Sequence, residues 1–177
     1  HRVDRRQRQM CIRDRVYPSL VELRDATRET VVFAKLTQDG RVVYLDVLDS
    51  PHTIRYAPVA GEFKDVHANS LGKALLSLMD ESARDTMLAG MAMTRYNERT
   101  LVTPQALQDD IQQSRQRGWF MNSGESIADV GAIAWPVTLS GEHYAISVGG
   151  PIYRIEPQQE AYARILRAAC TGLEQQA

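Results

Sequence analysis

The feature that most constrains the fold is one apolar segment, residues 125–154, which reads ESIADVGAIAWPVTLSGEHYAISVGGPIYR. It predicts a strand over 130–139 and a return strand over 143–148, in which larger and smaller side chains alternate. We predict a tight turn at Ser140-Gly141, because glycine tolerates the positive φ that two-residue hairpin turns require. We expect Gly149-Gly150-Pro151 to end the ladder, since proline has no N–H to donate.

Small residues recur along this hairpin at Gly131, Ala132, Ser147 and Gly149. They would leave space above the sheet, and two interpretations of that space remain open. A small ligand could occupy it, in which case the chain is a sensor of small molecules. The space could instead let a helix pack closely on an ordinary buried hairpin.

Composition sets the class of protein. The chain has 177 residues, of which 44% are hydrophobic, which indicates one globular domain. No apolar run is long enough to cross a bilayer and no signal-peptide pattern opens the chain, so we expect a cytoplasmic protein without a membrane partner. Cys11 and Cys170 lie far apart, and we expect Cys170 to be a core thiol.

The first fifteen residues differ from the rest in charge. They contain six arginines and two aspartates, a net of +4, so residues 16–177, with 15 basic and 20 acidic side chains, carry −5. Such a head could be a nucleic-acid arm. It lacks aromatic residues, however, and resembles translated adapter sequence. We therefore expect residues 1–15 to be a disordered segment that is not native, followed by one domain over 16–177.

The remaining patterns predict the order of elements. In the first half we expect a helix over 18–28, strands over 30–36 and 41–48 joined by a turn at Asp39-Gly40, and a weaker third strand around Ile54-Arg55-Tyr56. We then expect helices from Asn69, over 82–89 and from Thr103-Pro104 to Gly118, a strand over 119–122, and a last helix after Glu156-Pro157. This order predicts an α+β fold with a central, mostly antiparallel sheet flanked by helices.

A search for chemistry finds no catalytic constellation. The sequence contains no G-x-S-x-G, H-E-x-x-H, P-loop or paired C-x-x-C pattern, and its four histidines are scattered. We predict no catalytic residues, no metal site and no cofactor. His67 could contact a ligand, or it could be a structural hydrogen-bonding side chain near a helix start.

Four segments resemble one family. They are DVHANSLGKALL at 65–76, RGW at 117–119 followed by Glu125 and the strand from Val130, SVGGP at 147–151 with Arg154, and ATRETV at 26–31. In order and spacing they are similar to the motifs of IclR-type transcriptional regulators over residues 16–177. The resemblance implies a GAF-like effector-binding domain. It further implies that the winged helix-turn-helix domain of these regulators is absent from this chain, so that DNA would be contacted only through that missing domain.

The resemblance also implies partners and site residues. The partners would be a small organic acid effector and further copies of the chain, as a homodimer or homotetramer. The effector-binding positions would be Ser70, Leu71, Asn122, Ala132, Ser147 and Gly149. Three of these, Asn122, Ala132 and Gly149, depart from the family pattern, which predicts a roomier and less polar pocket. Arg28 replaces a glycine of the motif, and we expect it at an exposed turn.

Three functional classes remain open at this point. The chain could be a sensing and oligomerising module of a transcription factor, a small enzyme on the same fold, or a purely structural dimerisation domain. The apolar face of the last helix is wide, because Ala161, Ala168 and Cys170 flank the stripe. This width favours self-association, although the face could also be buried entirely within one monomer.

Overall fold

The computed structural model describes residues 2–176, with side chains from residue 4 onward. One antiparallel sheet of six strands, in the order β3-β2-β1-β6-β5-β4, forms the centre. The elements are α1 (Arg2–Thr27), β1 (Thr30–Leu36), β2 (Arg41–Leu48), β3 (Phe63–Asp65), a short 3-10 helix (Val66–Ala68), α2 (Ser70–Ser77), α3 (Glu81–Ala89), α4 (Pro104–Arg117), β4 (Phe120–Ser123), β5 (Val130–Leu139), β6 (Glu142–Pro151) and α5 (Ile152–Gln175). The predicted α+β fold with a mostly antiparallel sheet is confirmed.

The central hairpin forms as predicted and runs further than expected. Ser140 and Gly141 have φ values of 52° and 77°, as a two-residue turn between right-twisted strands requires. The return strand does not end at 148 as predicted but runs to Pro151, which lies opposite Val130, and the ladder ends at this proline as expected. Proline is tolerated at this position because the missing N–H falls at the last rung of the strand.

The two faces of the sheet are covered differently. Helices α1 and α5 pack on one face, which we call the closed face. Its core is apolar and includes Leu20 and Leu23 of α1 and Leu166 of α5, each of which is at most 1% exposed. The rings of Phe33 and Tyr144 stack there with their centroids 5.0 Å apart. Gly131 allows α5 to approach, since a Cβ at this position would lie 3.3 Å from Cβ of Ile155.

Helices α2 and α4 cover the opposite face, which we call the open face. The strand residues that point there include Val32, Ala134 and Ala145, which are smaller than their counterparts on the closed face. One part of the open face is filled by Leu71, Leu75 and other α2 side chains. The part beside the start of α2 is not filled, and this is where the cavity described below lies.

The predicted disorder of residues 1–15 is wrong for the residues that the structure describes, because α1 begins at Arg2. Ile12 and Val16 continue the stripe of Leu20 toward the N-terminus at helical spacing and are buried on the closed face. The predicted start at Pro18 was misleading, since this proline lies inside the helix. His1 lies outside the described residues, and the non-native origin of the segment stays a prediction.

Two further boundaries differ from expectation. The third strand is not at 54–56 but at Phe63–Asp65, where it pairs with the start of β2. Residues 54–56 are instead held as a loop, because the hydroxyl of Thr30 donates to the carbonyl of Tyr56 at 2.5 Å. Helix α5 begins at Ile152, so Pro157 lies inside it and does not mark its start.

Several predicted helix ends and turns are confirmed. Asn69 and Thr103 cap α2 and α4 with their side-chain oxygens, and Gly118 ends α4 in the left-handed conformation with φ of 104°. Arg28 is exposed, with φ of 57°, where α1 turns into β1. Within the described residues, no helix is long and apolar enough to span a bilayer.

Candidate functional site

A cavity of about 250 Å³ lies over the open face, between the sheet and the start of α2. Strands β2, β3, β4, β5 and β6 each contribute to its wall, together with the loops before α4 and between β4 and β5. Its lining residues are Arg41, Tyr44, Tyr56, Phe63, Lys64, Asp65, Ala68, Asn69, Ser70, Leu71, Tyr96, Asn122, Ser126, Ile127, Val130, Ala132 and Ser147. An engineered apolar cavity of about 150 Å³ accepts benzene, so this one admits a ring with substituents.

The inner end of the cavity is polar. Ser70 and Ser147 are only 2% and 4% exposed, and both line the cavity. Within the described residues, no hydrogen bond occupies either hydroxyl. Neither hydroxyl oxygen is among the fully buried polar atoms that lack a partner in the described residues, so both are accessible from the cavity. This end of the cavity therefore offers two donors, beside the helix N-terminus that begins at Ser70.

The structure brings the predicted site residues together. Five of the six line the cavity, namely Ser70, Leu71, Asn122, Ala132 and Ser147. The sixth, Gly149, lies opposite Ala132 in the β5–β6 ladder. A Cβ added there would lie 3.2 Å from Cβ of Ala132 and 3.6 Å from Cδ1 of Tyr56. Their role in effector binding stays a prediction.

Two of these residues are engaged within the protein. The N–H of Leu71 donates to the Asn69 side-chain oxygen at 2.9 Å, so it is already capped. The side-chain amide of Asn122 donates to the carbonyl of Ala68 at 3.1 Å, and its oxygen accepts from the N–H of Glu125 at 2.9 Å. Asn122 therefore ties the segment before α2 to the loop after β4, and an aspartate could not make the first of these bonds.

Aromatic side chains form the wall between the two ends of the cavity. Tyr44 is 3% exposed, and its hydroxyl accepts from the Asn69 side chain at 2.9 Å. Burial, and secondarily the neighbouring Tyr56, raises the pKa of Tyr44 well above that of a free tyrosine. Phe63 and Tyr96 are about half exposed at the mouth. Sequence reasoning did not single out these rings, because strand pairing and a long loop bring them together.

The mouth of the cavity carries charge. Arg41 lies opposite Asp65 in the β2–β3 ladder, and its guanidinium carbon is 5.3 Å from the centroid of the Phe63 ring. Nζ of Lys64 is 2.7 Å from a carboxylate oxygen of Glu62. Asp65 accepts a hydrogen bond from the hydroxyl of Tyr96, and this bond raises the pKa of Tyr96. The inner and outer ends thus differ in character, since the inner end carries hydroxyls and the outer end carries ions.

The histidine that could contact a ligand does not reach the cavity. His67 is fully buried behind the site, with Nε2 at 2.8 Å from the carbonyl oxygen of Thr94 and its ring stacked on Tyr96 at 6.0 Å. It does not line the cavity, which agrees with the structural alternative. Among the described residues, no group of three histidine, cysteine or acidic side chains is placed to hold a metal ion.

Comparison with known families decides the relationship. Residues 6–174 match the family described as bacterial transcriptional regulator IclR C-terminal, which is nearly the whole chain. The chain belongs to the IclR family. The match begins within the arginine-rich segment, and it includes every residue of the cavity.

Relatives in the IclR family agree with this. The chain is 32% identical over 162 residues to the transcriptional repressor IclR of Escherichia coli, an alignment that covers 87% of this chain and 58% of the relative. The chain therefore spans little more than half the length of such relatives. The relatives that were compared are named as transcriptional regulators or repressors.

Solved IclR structures share the fold. The Thermotoga maritima IclR structure superposes with a TM-score of 0.86 at 20% identity, covering 93% of this chain and 68% of that one. An IclR homologue from Microbacterium hydrocarbonoxydans, solved in complex with 4-hydroxybenzoate, superposes with a TM-score of 0.83 at 24% identity, over 94% of this chain and 68% of that one.

The IclR-like motifs also contain charged residues to which sequence reasoning assigned no role. Lys73 is completely buried, and its Nζ lies 2.8 Å from a carboxylate oxygen of Glu125, 2.8 Å from the carbonyl of Met121 and 3.2 Å from Asp110. This ion pair joins α2 to the loop that forms one wall of the cavity. Nothing in the sequence indicated that this lysine is buried.

A second ion pair lies behind the hairpin. Arg154 donates twice to Glu29, with N–O distances of 2.6 and 3.1 Å, and once to the carbonyl of Ile54 at 2.7 Å. Glu29 is 1% exposed, and a Cβ at Gly150 would collide with its carboxylate at 2.3 Å. The motif glycine therefore makes room for the ion pair. This pair fixes the loop that carries Tyr56 into the cavity wall.

Proposed function

We propose that this chain is the effector-sensing part of an IclR-family transcriptional regulator and that it binds a small organic acid in the cavity over the open face. The observation that carries the proposal is the pair of buried hydroxyls, Ser70 and Ser147, beside the start of α2. A carboxylate accepts hydrogen bonds from hydroxyls and is favoured by the partial positive charge at a helix N-terminus.

The size and lining of the cavity support this proposal. Ala132 and Gly149 depart from the family pattern and leave more room above the sheet beneath the ligand. This room favours a ring-sized acid over a two-carbon acid. The relative from Microbacterium hydrocarbonoxydans was crystallised with 4-hydroxybenzoate, an acid of this size. Because the named relatives are regulators or repressors, a sensor is favoured over an enzyme.

Thermal shift with a broad panel of organic acids tests the proposal. A ligand at 100 times its dissociation constant stabilises the folded state by about 2.7 kcal/mol, which raises the melting temperature measurably. Ser147→Ala and Ser70→Ala should each weaken binding by roughly 0.5–1.5 kcal/mol with little change in stability. Ser19→Ala, in α1 on the closed face, is the matched control and leaves affinity unchanged. A panel in which no acid raises the melting temperature contradicts the proposal.

Self-association is the second part of the proposed function. Ile165 is 37% exposed and Ala168 is exposed on α5, although Leu166, Cys170 and Leu173 of the same helix are buried within the monomer. A two-fold homodimer, or a homotetramer built from it, would cover the exposed positions. Light scattering at micromolar concentration should give at least twice the mass of 19.9 kDa. A monomer mass across a hundredfold dilution series contradicts this.

Contact with DNA is proposed to occur through a winged helix-turn-helix domain of the intact cytoplasmic regulator. Residues 16–177 carry a net charge of −5, which opposes binding to a polyanion. We expect the chain alone to give no sequence-selective gel shift and any retention to disappear at moderate salt. A salt-resistant, selective shift contradicts this.

A further inference from the structure

Arg41, at the outer end of the cavity, is a cation without an ionic partner among the described residues. Arg41 is exposed on the edge half of the sheet, and within the described residues its guanidinium has no carboxylate within 4.0 Å and no hydrogen-bond acceptor. The neighbouring Lys64 differs, because Glu62 holds its ammonium at 2.7 Å. An arginine has five N–H donors in a fixed planar fork, and Arg41 brings such a fork to the cavity lining.

The position of Arg41 is fixed by its neighbours. The guanidinium lies over the Phe63 ring at 5.3 Å, a cation–π contact that holds the plane of the fork. Asp65 lies opposite in the ladder but uses its carboxylate to accept the Tyr96 hydroxyl. The fork is therefore positioned in advance, and an acceptor oxygen that reaches it loses little entropy in binding.

The body of the cavity separates this cation from the inner hydroxyls. Tyr44 and Tyr56 line the cavity together with Phe63 at the mouth, and Leu71 and Ile127 add apolar surface. Aromatic and apolar walls favour a flat, apolar ligand body. A carboxylate at Ser70 and Ser147 would thus direct the opposite edge of a ring toward Arg41.

We propose that the effector is a ring-sized carboxylic acid with a second oxygen acceptor at the end opposite its carboxylate, and that Arg41 reads this second group. The inference rests on the proposed function, since it takes the inner hydroxyls as the site of the first carboxylate. Arg41 is the specificity-determining residue. The second oxygen belongs to a phenol or to a second carboxylate, and both present the same acceptor to the fork.

Titration calorimetry with three probes tests the inference: benzoate, 4-hydroxybenzoate and benzene-1,4-dicarboxylate. Each is titrated into the unaltered chain, Arg41→Gln and the control Arg164→Gln, which removes an exposed cation from α5 on the closed face. In the unaltered chain, the two probes with an oxygen group opposite the first carboxylate bind about tenfold or more tightly than benzoate, as a hydrogen bond to a charged group predicts. Arg41→Gln removes most of that preference, whereas Arg164→Gln leaves it unchanged.

The possible results separate this inference from the proposed function. Equal affinity of all three probes for the unaltered chain overturns the inference and leaves the proposed function standing. A preference that survives in Arg41→Gln overturns the role of Arg41. If no probe and no other acid binds, the proposed function fails, and the inference fails with it. The comparison within the unaltered chain does not depend on the folding of any variant, and Arg41→Lys, which keeps the charge without the fork, should retain only part of the preference.

Discussion

The two faces of one sheet follow different rules in this protein. On the closed face, large apolar side chains from β1, β5 and β6 interlock with α1 and α5, as in the stack of Phe33 and Tyr144. On the open face the same strands present small residues, and α2 brings a completely buried lysine. Adjacent residues of one strand therefore serve two purposes, because successive side chains of a strand point to opposite faces.

The difference shows where the protein departs from the most stable packing. A buried ion pair such as Lys73 and Glu125 is weak evidence for stability, because desolvation offsets much of the Coulomb attraction. A cavity also costs free energy of folding, because the side chains around it lose packing contacts. Both features occur on the open face, so that face carries the cost and the closed face supplies the compensating apolar burial.

The strongest test breaks the ion pair of the open face. Lys73→Met leaves Glu125 buried without its cation, and we expect a loss of roughly 3–5 kcal/mol in the free energy of unfolding. Adding Glu125→Gln should recover much of this loss, since the remaining neutral amide needs no cation. Chemical denaturation of the single and double variants gives both values.

Lys64→Met is the matched control for this test. Its partner, Glu62, is 35% exposed in its side chain, and such a partly solvated pair is worth about 0–1 kcal/mol. A loss as small for Lys73→Met as for Lys64→Met would show that the buried pair does not hold the open face together.

A pair of glycine substitutions sharpens the comparison. Gly131 and Gly149 lie on neighbouring strands, but an added Cβ points to the closed face at the first and toward the cavity at the second. We expect Gly131→Ala to cost about 1–3 kcal/mol of stability by pressing on Ile155 of α5, with no change in ligand affinity. Gly149→Ala should cost a similar amount, because the new Cβ would lie 3.2 Å from Cβ of Ala132, but it should also weaken acid binding. Melting curves with and without ligand measure both effects, and the reverse pattern would contradict the assignment of the faces.

The smallest expected effect concerns pH and applies to both faces. Burial raises the pKa of Tyr44 on the open face and of Tyr144 on the closed face. A raised pKa favours the protonated form in the folded state, so neither residue affects stability below the ordinary tyrosine pKa of about 10, and stability falls as the pH rises above it. Tyr44→Phe and Tyr144→Phe should each make this alkaline decline less steep. Denaturation between neutral pH and pH 11 checks it, and an unchanged slope in both variants contradicts it.

The sequence predicted most elements, and the errors share a cause. Strands β1 and β2 were predicted to the residue, because β-branched side chains flank a turn at Asp39-Gly40. Three prolines were taken as helix starts, and this holds only for Pro104, where Thr103 accepts the N–H of Ala106 at 3.2 Å. Pro18 and Pro157 lack such a cap and lie inside α1 and α5. A proline marks a helix start only when a capping side chain precedes it.

Prediction of the candidate site was limited in a similar way. Motif positions such as Ser147 and Ala132 could be named because the family resemblance implied them and because they are small residues of the predicted hairpin. Tyr96 and Arg41 could not, since contacts between distant parts of the chain place them at the cavity. The burial of Lys73 was also hidden, because a lysine on a short amphipathic helix is usually solvated.

The alternation along β5 and β6 has a practical consequence for protein engineering. On β6, Ala145, Ser147 and Gly149 face the cavity side, whereas Tyr144, Ile146 and Val148 belong to the closed core. A combinatorial library confined to every second position of these two strands would vary the shape of the cavity floor while leaving the packing under α1 and α5 untouched. A biosensor for a chosen acid could therefore be sought by varying the cavity floor while the closed core is kept constant.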